Sequence, residues 1–237
     1  MEKIEVSRYV AKEFRTAEAM KSLRTNLMFC GDSVRVVGLT SFSASEGKSS
    51  IAFQLTASLA QAGRRVLLLD TDLRKSVLQS RMKVRGKIEG LSHYLSGMSH
   101  AKDLVYETDI PGMYIMFAGV WVPNASELLG SEKFKDLIPS LKESFDYVIV
   151  DTPPLGQVID CAVMAPVLDG VAIVVDTTHN SYKLEKRIKA QLEKSGGRIL
   201  GIVLNRVDFN DRSGYYGKAY KYGYGYGYGY GEKPEQE

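Results

Sequence analysis

The 237-residue sequence predicts an α/β fold: a parallel sheet with helices on both faces, a single domain with a short extension at each end. Two observations predict it. Apolar, β-branched runs recur along the chain without the in-out alternation of a half-exposed sheet, and helical segments separate them. A glycine-containing loop also falls between the first such run and the first helix.

The elements follow in order. Residues 34–40 (VRVVGLT) read as a short buried strand, and 48–62 (KSSIAFQLTASLAQA) as a helix closed by Gly63 at C′. RRVLLLD forms a second strand ending at Asp70. Further strands are expected at 113–118, 147–151, 171–176 and 199–204, with helices near 126–143 and 182–195. Asn124 and Glu127 have the spacing of an N-cap and its N3 partner, so a helix should start near 125. Residues 1–33 read as a helical, charged extension, 34–208 as the folded domain, and 209–237 as a low-complexity tail expected to be disordered.

Bulk composition excludes several function classes. The net charge of +3 is too small to argue for nucleic acid as a partner. Cys30 and Cys161 are far apart and no CxxC occurs, so neither a disulfide framework nor a zinc site is indicated, and a cytoplasmic location fits. No run approaches the roughly 20 apolar residues of a membrane span, and the polar N-terminus has no signal-peptide core.

The chemistry gathers at strand ends, where ligands of such sheets bind. SFSASEGKSS lies where a phosphate-binding loop belongs, its backbone N–H groups backed by a helix N-terminus. Ser45, Glu46, Gly47, Lys48, Ser49 and Ser50 are the candidate contacts: Gly47 for close backbone approach, Lys48 for the β/γ oxygens, and the Ser49 hydroxyl for Mg²⁺. The loop departs from GxxxxGK[ST] at Phe42, where glycine is expected. LLLDTDLRK places Asp70 and Asp72 after a strand, and VIVDTPP places Asp151 likewise. One strand-end aspartate is ordinary turn chemistry, but three strain that reading. With Ser49, Asp72 and Asp151 form a sufficient ligand set for Mg²⁺, which keeps several of its waters.

The Lys48 loop, the DxDxR stretch ending at Arg74, the DTPP stretch and PNASELLGSEKF (123–134, with Ala125 where the family has Pro) occur together in this order in bacterial tyrosine kinases of capsule and exopolysaccharide synthesis. The chain resembles that family from about residue 13 onward. The resemblance implies a P-loop NTPase-like fold and an ATP- and Mg²⁺-dependent autokinase with Lys48, Asp70 and Asp72 as catalytic residues. Asp70 would then contact the incoming phenol, and Asn205 would hydrogen-bond adenine. It also implies a homo-oligomer, with a ring as one arrangement, associating through Glu18, Lys21 and Arg24. Lys21 stands where the family has arginine, which removes a bidentate fork. A membrane-bound polysaccharide co-polymerase as activator, recruitment to the inner face of the membrane, and a cognate phosphotyrosine phosphatase follow from the same resemblance.

The tail sharpens the reading. Eight of the 14 tyrosines lie beyond residue 209: Tyr215, Tyr216, Tyr220, Tyr222, Tyr224, Tyr226, Tyr228 and Tyr230. Alternating glycine opposes helix formation and leaves each phenol exposed, so they are expected to be phosphoacceptors. A flexible chain of that length spans roughly 30 Å, enough to reach a neighbouring subunit's site. Two rivals remain. A septum-site or partition ATPase switch would carry a second loop lysine at the position of Ser43, and a non-catalytic ATP-binding scaffold would use the tail as an aromatic adhesive.

Overall fold

The computed structural model describes residues 3–84, 86–178 and 182–207, with the side chains of 182–185 left aside. The tail tyrosines Tyr215 to Tyr230 lie outside the described residues, as does the expected disorder of 209–237. The chain divides into Met1–Asn205 and Arg206–Glu237, and the description below concerns the first unit.

A seven-stranded sheet has the order β3-β4-β2-β5-β1-β6-β7. Its strands are β1 (Val36–Ser41), β2 (Val66–Asp70), β3 (Tyr106–Glu107), β4 (Met113–Met116), β5 (Tyr147–Asp151), β6 (Gly170–Asp176) and β7 (Ile199–Asn205). All neighbours are parallel except the two-residue edge strand β3, which runs antiparallel to β4. That strand is absent from the sequence reading because two residues carry no apolar run. β2, β4 and β5 are almost wholly buried, which explains their continuous apolar runs.

Each strand feeds both faces by alternation. Leu67, Leu69, Val148 and Val150 join one core, with Phe134, Leu137 and Ile138 of α6 (Glu132–Ser144) and Ile188 of α8 (Tyr182–Lys194). Val66, Leu68 and Ile149 join the other, with Leu27 of α1 (Phe14–Phe29) and Leu55 and Leu59 of α2 (Lys48–Gln61). The short helices are α3 (Leu78–Arg81), α4 (Leu91–Leu95), α5 (Ala125–Leu129) and α7 (Asp160–Met164).

Residues 3–11 lie along the body instead of continuing the helix. Ile4 pairs with Thr108, and Gln54 of α2 both accepts from the Ala11 amide and donates to the Tyr9 carbonyl. The helical part of the extension is α1 together with a single 3-10 turn at Ser7–Tyr9.

The single helix expected over 126–143 is two helices. α5 does begin at Ala125, but Asn124 makes no side-chain cap. The chain breaks at Gly130, and Ser131 caps α6, its hydroxyl accepting from the Phe134 amide at 3.4 Å. The break seats Phe134 at full burial. Ser131→Ala should therefore lower stability by about 1 kcal/mol, read as a shift in the urea midpoint without a change in its slope.

Candidate active site

The sheet order places β5 between β1 and β2, so the loop after β1 and the turn after β2 flank the end of β5. Asp70 and Asp151 face each other in register across the β2–β5 pair. A cleft of about 220 Å³ opens above these strand ends, lined among others by Ser45, Gly47, Lys48, Ser49, Asp72 and Arg74.

The loop geometry rests on two residues with positive φ, Ser45 (65°) and Gly47 (96°). Gly47 is the N-cap of α2, so the first N–H groups of that helix point toward the cleft. The Asn205 amide donates to the Glu46 carbonyl at 2.9 Å, and a Cβ at residue 47 would lie 2.1 Å from the same Asn205 nitrogen. Asn205 therefore braces the phosphate loop from β7. This contact uses one of the two N–H groups of the Asn205 amide.

Phe42, the departure from the glycine pattern, is accommodated by the turn after β5. Gly156, just past the DTPP turn, leaves room for it: a Cβ there would meet the Phe42 carbonyl oxygen at 2.3 Å and its ring at 2.7 Å. The Leu155 amide donates to the Ser41 carbonyl at 2.8 Å, locking the two loops together.

Lys48 is 7% exposed. Burial lowers its pKa, while the carboxylates of Asp151, Asp72 and Glu46 favour its charged form. Asp151 is raised to about 6, first by burial and further by the charge of Asp72, against the opposing effects of Ser49 and Lys48. One Asp151 oxygen, Oδ1, is buried without a hydrogen-bond partner, beside the Ser49 hydroxyl that engages this carboxylate. An orphaned carboxylate oxygen next to a hydroxyl and an anion cradle fits a hard divalent cation such as Mg²⁺. No group of three or more His, Cys, Asp or Glu side chains gathers to chelate a metal among the described residues, and Mg²⁺ bound alongside phosphate needs none.

Asp72 and Asp70 separate in role. Asp72 lines the cleft, its Oδ1 held by the amides of Arg74 (3.2 Å) and Lys75 (2.8 Å). Asp70 lies behind it, fully buried, accepting from the Ser76 hydroxyl and from the Asp72 amide at 3.1 Å. Burial, then the neighbouring Asp151 charge, holds the Asp70 carboxyl well above the usual range. The expected contact between Asp70 and a phenol is thus not set up, because its oxygens are bound inward and it does not line the cleft.

Two residues escaped the sequence reading. Arg74 forms a bidentate pair with Asp160 of α7 (Nε–Oδ2 2.8 Å, Nη2–Oδ1 3.1 Å), and Ser126 bonds both at 2.9 and 2.6 Å. This network ties the DxDxR turn, the PNASELL segment and α7 into one wall, with Asp160 fully buried. Arg81, on the short α3, lines the cleft and donates to Ser50 at 3.1 Å. Neither Asp160 nor Arg81 sits in a recognisable motif; only the three-dimensional neighbourhood marks them.

On α1, Lys21 pairs with Glu18 at 2.6 Å, an exposed i,i+3 contact. Arg24 turns onto α2, bonding the Ser58 carbonyl at 2.7 Å and its hydroxyl at 3.2 Å.

A helix-capping anion cradle, a buried lysine and converging carboxylates at the carboxyl edge of a parallel sheet define a P-loop phosphate-binding protein. The AAA domain family matches residues 34–194. The tyrosine-protein kinase CpsD of Streptococcus agalactiae is 38% identical over 208 residues, spanning 88% of this chain and 90% of that protein. The kinase domain of the Escherichia coli tyrosine kinase ETK superposes with a TM-score of 0.79 at 30% identity, covering 84% of this chain and 78% of that one. The septum site-determining protein MinD of Pyrococcus horikoshii, complexed with Mg-ADP, gives a TM-score of 0.63 at 24% identity over 75% of this chain and 72% of that one, a likeness of fold. The chain belongs to the bacterial tyrosine-protein kinase family.

Two predictions follow from the site geometry. Gly47→Ala imposes a strained φ and a clash with Asn205, so nucleotide affinity should fall by roughly tenfold or more, measured by calorimetric titration. Asp151 is harder to ionise in the folded chain than in the unfolded one, so the native state holds a proton that the unfolded state releases. Its contribution is present at low pH and lost as pH rises from about 4 through 6. Relative to Asp151→Asn, the metal-free wild type should lose about 2–3 kcal/mol across that window, read from denaturant midpoints in chelator.

Proposed function

We propose that this protein-tyrosine kinase uses Mg²⁺-ATP to phosphorylate the tyrosines of its own C-terminal segment, Tyr215 to Tyr230, between copies of the chain. The observation that carries the reading is that Lys48, Ser49 and Asp72 line one cleft beside the positive end of α2, with the Asp151 carboxylate engaging Ser49 and Lys48 from the sheet. Transfer breaks the bond from the γ-phosphorus to its bridging oxygen and forms one to the phenol oxygen, releasing ADP and the phenol proton. Such a transition state is loose, so positioning and charge neutralisation matter more than a strong base. Lys48, desolvated and ringed by acids, is suited to meet the β/γ charge, and the α2 N-terminus to cradle it. Ser49 and Asp151 would hold Mg²⁺, with Asp72 as an added ligand; when bound, the ion neutralises charge on the phosphate oxygens. Asp72 is also the acid nearest the open cleft, suited to orient the phenol and receive its proton late. Asp70, whose carboxyl is held by burial well above the usual range, accepts from the Asp72 amide and keeps that turn in place.

The likeness to capsule kinases supports a role in regulating capsular or extracellular polysaccharide synthesis. It also supports self-association and an activator that is a membrane-bound polysaccharide co-polymerase, with a phosphatase to reset the tail. We assign recruitment to the membrane's inner face to that partner; no helix among the described residues is long and apolar enough to cross a membrane. In the self-association contact, Lys21 and Glu18 would present the surface charges, because Arg24 is bound to α2.

Incubation with Mg²⁺-ATP followed by mass spectrometry of the tail tests the reading. Phosphotyrosine should appear on Tyr215 to Tyr230 and fall by roughly 100-fold or more in Lys48→Met. A wild-type chain that binds ATP yet never acquires phosphotyrosine would instead be the scaffold.

A further inference from the structure

The chain's one tryptophan, Trp121, is 68% exposed, and its neighbour Val120 is 46% exposed. Leaving so large an aromatic surface in water forgoes the burial that an indole ordinarily gains. Loose backbone does not account for it. Before the tip, the Leu91 and Ser92 amides donate to the Phe117 and Ala118 carbonyls at 2.8 and 2.9 Å. Gly119, at φ 87°, sits so close to α4 that a Cβ would meet the Ser92 hydroxyl at 2.5 Å. After the tip, the Val122 amide donates to the Leu73 carbonyl at 3.4 Å. The tip is clamped on both sides, and the indole is held out.

What it borders decides its use. Trp121, Phe117 and Gly119 form one wall of a groove of about 190 Å³ whose other wall is Asp72, Lys75 and Gln79. Asp72, Arg74 and Lys75 line both this groove and the phosphate cleft, so the two are continuous at the acid proposed to meet the phenol.

We infer that the Trp121 groove is the acceptor-peptide site, and that its occupant is the Gly-Tyr repeat (residues 222–230) of a second copy of this chain. The inference rests on the kinase reading and adds the residue that selects the acceptor. In an extended Gly-Tyr repeat the phenols share one side of the strand, about 7 Å apart. With one phenol at Asp72, a neighbouring phenol falls toward Trp121, where ring-on-ring packing holds it. Glycine at alternate positions lets the peptide backbone lie close against the groove. Lys75, exposed on the opposite wall, offers a cation to tyrosines already phosphorylated. A tail of repeated acceptors can thus be held by one ring while the next is modified.

Mixing two full-length chains tests this. The active chain carries serine at all eight tail tyrosines, and the acceptor chain carries Lys48→Met with its tail intact; acceptor phosphotyrosine is followed with time. Trp121→Ala in the active chain should slow transfer by about 3- to 10-fold, mainly through a higher apparent KM for the acceptor, and Trp121→Phe should recover most of it. Trp121→Ala in the acceptor chain should change nothing. The assignment is overturned if Trp121→Ala in the active chain leaves transfer intact, or if it slows transfer equally in either chain, which would make the indole part of a contact between subunits. Transfer absent from every mixture would sink the kinase reading itself, and the acceptor groove with it. As a readout independent of catalysis, the fluorescence of this single tryptophan should change saturably when a GYGYGYG peptide is added to the tail-serine chain. It should not respond to GSGSGSG, and no response to the tyrosine peptide would count against the groove.

Discussion

The constraint on which the site depends is the registered pairing of β2 with β5, which sets two carboxylates side by side at the end of a buried sheet. Asp70 and Asp151 have no bulk water to disperse their charge, and both are pushed toward the neutral form. The surrounding structure reads as a response to that crowding. Lys48 is buried against the carboxylates from the β1 side, Ser76 and the Asp72 amide hold Asp70, and one oxygen of Asp151 has no hydrogen-bond partner within the protein. A metal–nucleotide complex brings cation and anion together, so it suits a place where lysine, acids and a helix N-terminus already coexist.

Much of this was legible in the sequence because the chemistry is local. Strand, loop, helix and strand-end acids each occupy a short stretch, and their order implies the sheet. The P-loop, Asp72 and Asp151 needed no long-range information. The misses are the interactions that join distant stretches. Asp160 looks like any helix-start acid until the fold brings it under Arg74, 86 positions earlier. Asn205 sits at a strand end, and only the sheet shows that it also braces the phosphate loop through the Glu46 carbonyl. Asp70 and Asp72 are indistinguishable on paper, two carboxylates at alternate positions after a strand. Only the turn shows that one faces in and the other out. The short antiparallel β3 and the break at Gly130 escaped for a related reason, since neither leaves a periodic apolar signature.

The Arg74–Asp160–Ser126 wall gives the PNASELL segment a physical role. A buried ion pair is weak evidence of stability, but its geometry is demanding, and here it fixes the angle at which three loops meet. The PNASELL segment therefore helps hold the DxDxR turn, although its own residues, Ser126 among them, do not line the phosphate cleft.

Phe42 and Gly156 show that a steric requirement can migrate. The free space that a glycine at the head of the loop would provide is supplied instead by a glycine in the turn after β5, reached only through folding. The two positions form a lock and its recess, so neither can be altered without regard to the other. Among relatives, a bulky residue at the loop head should be inherited together with the distant glycine. A smaller head residue would remove the ring contacts only, since the carbonyl oxygen of residue 42 would still hold position 156 to glycine.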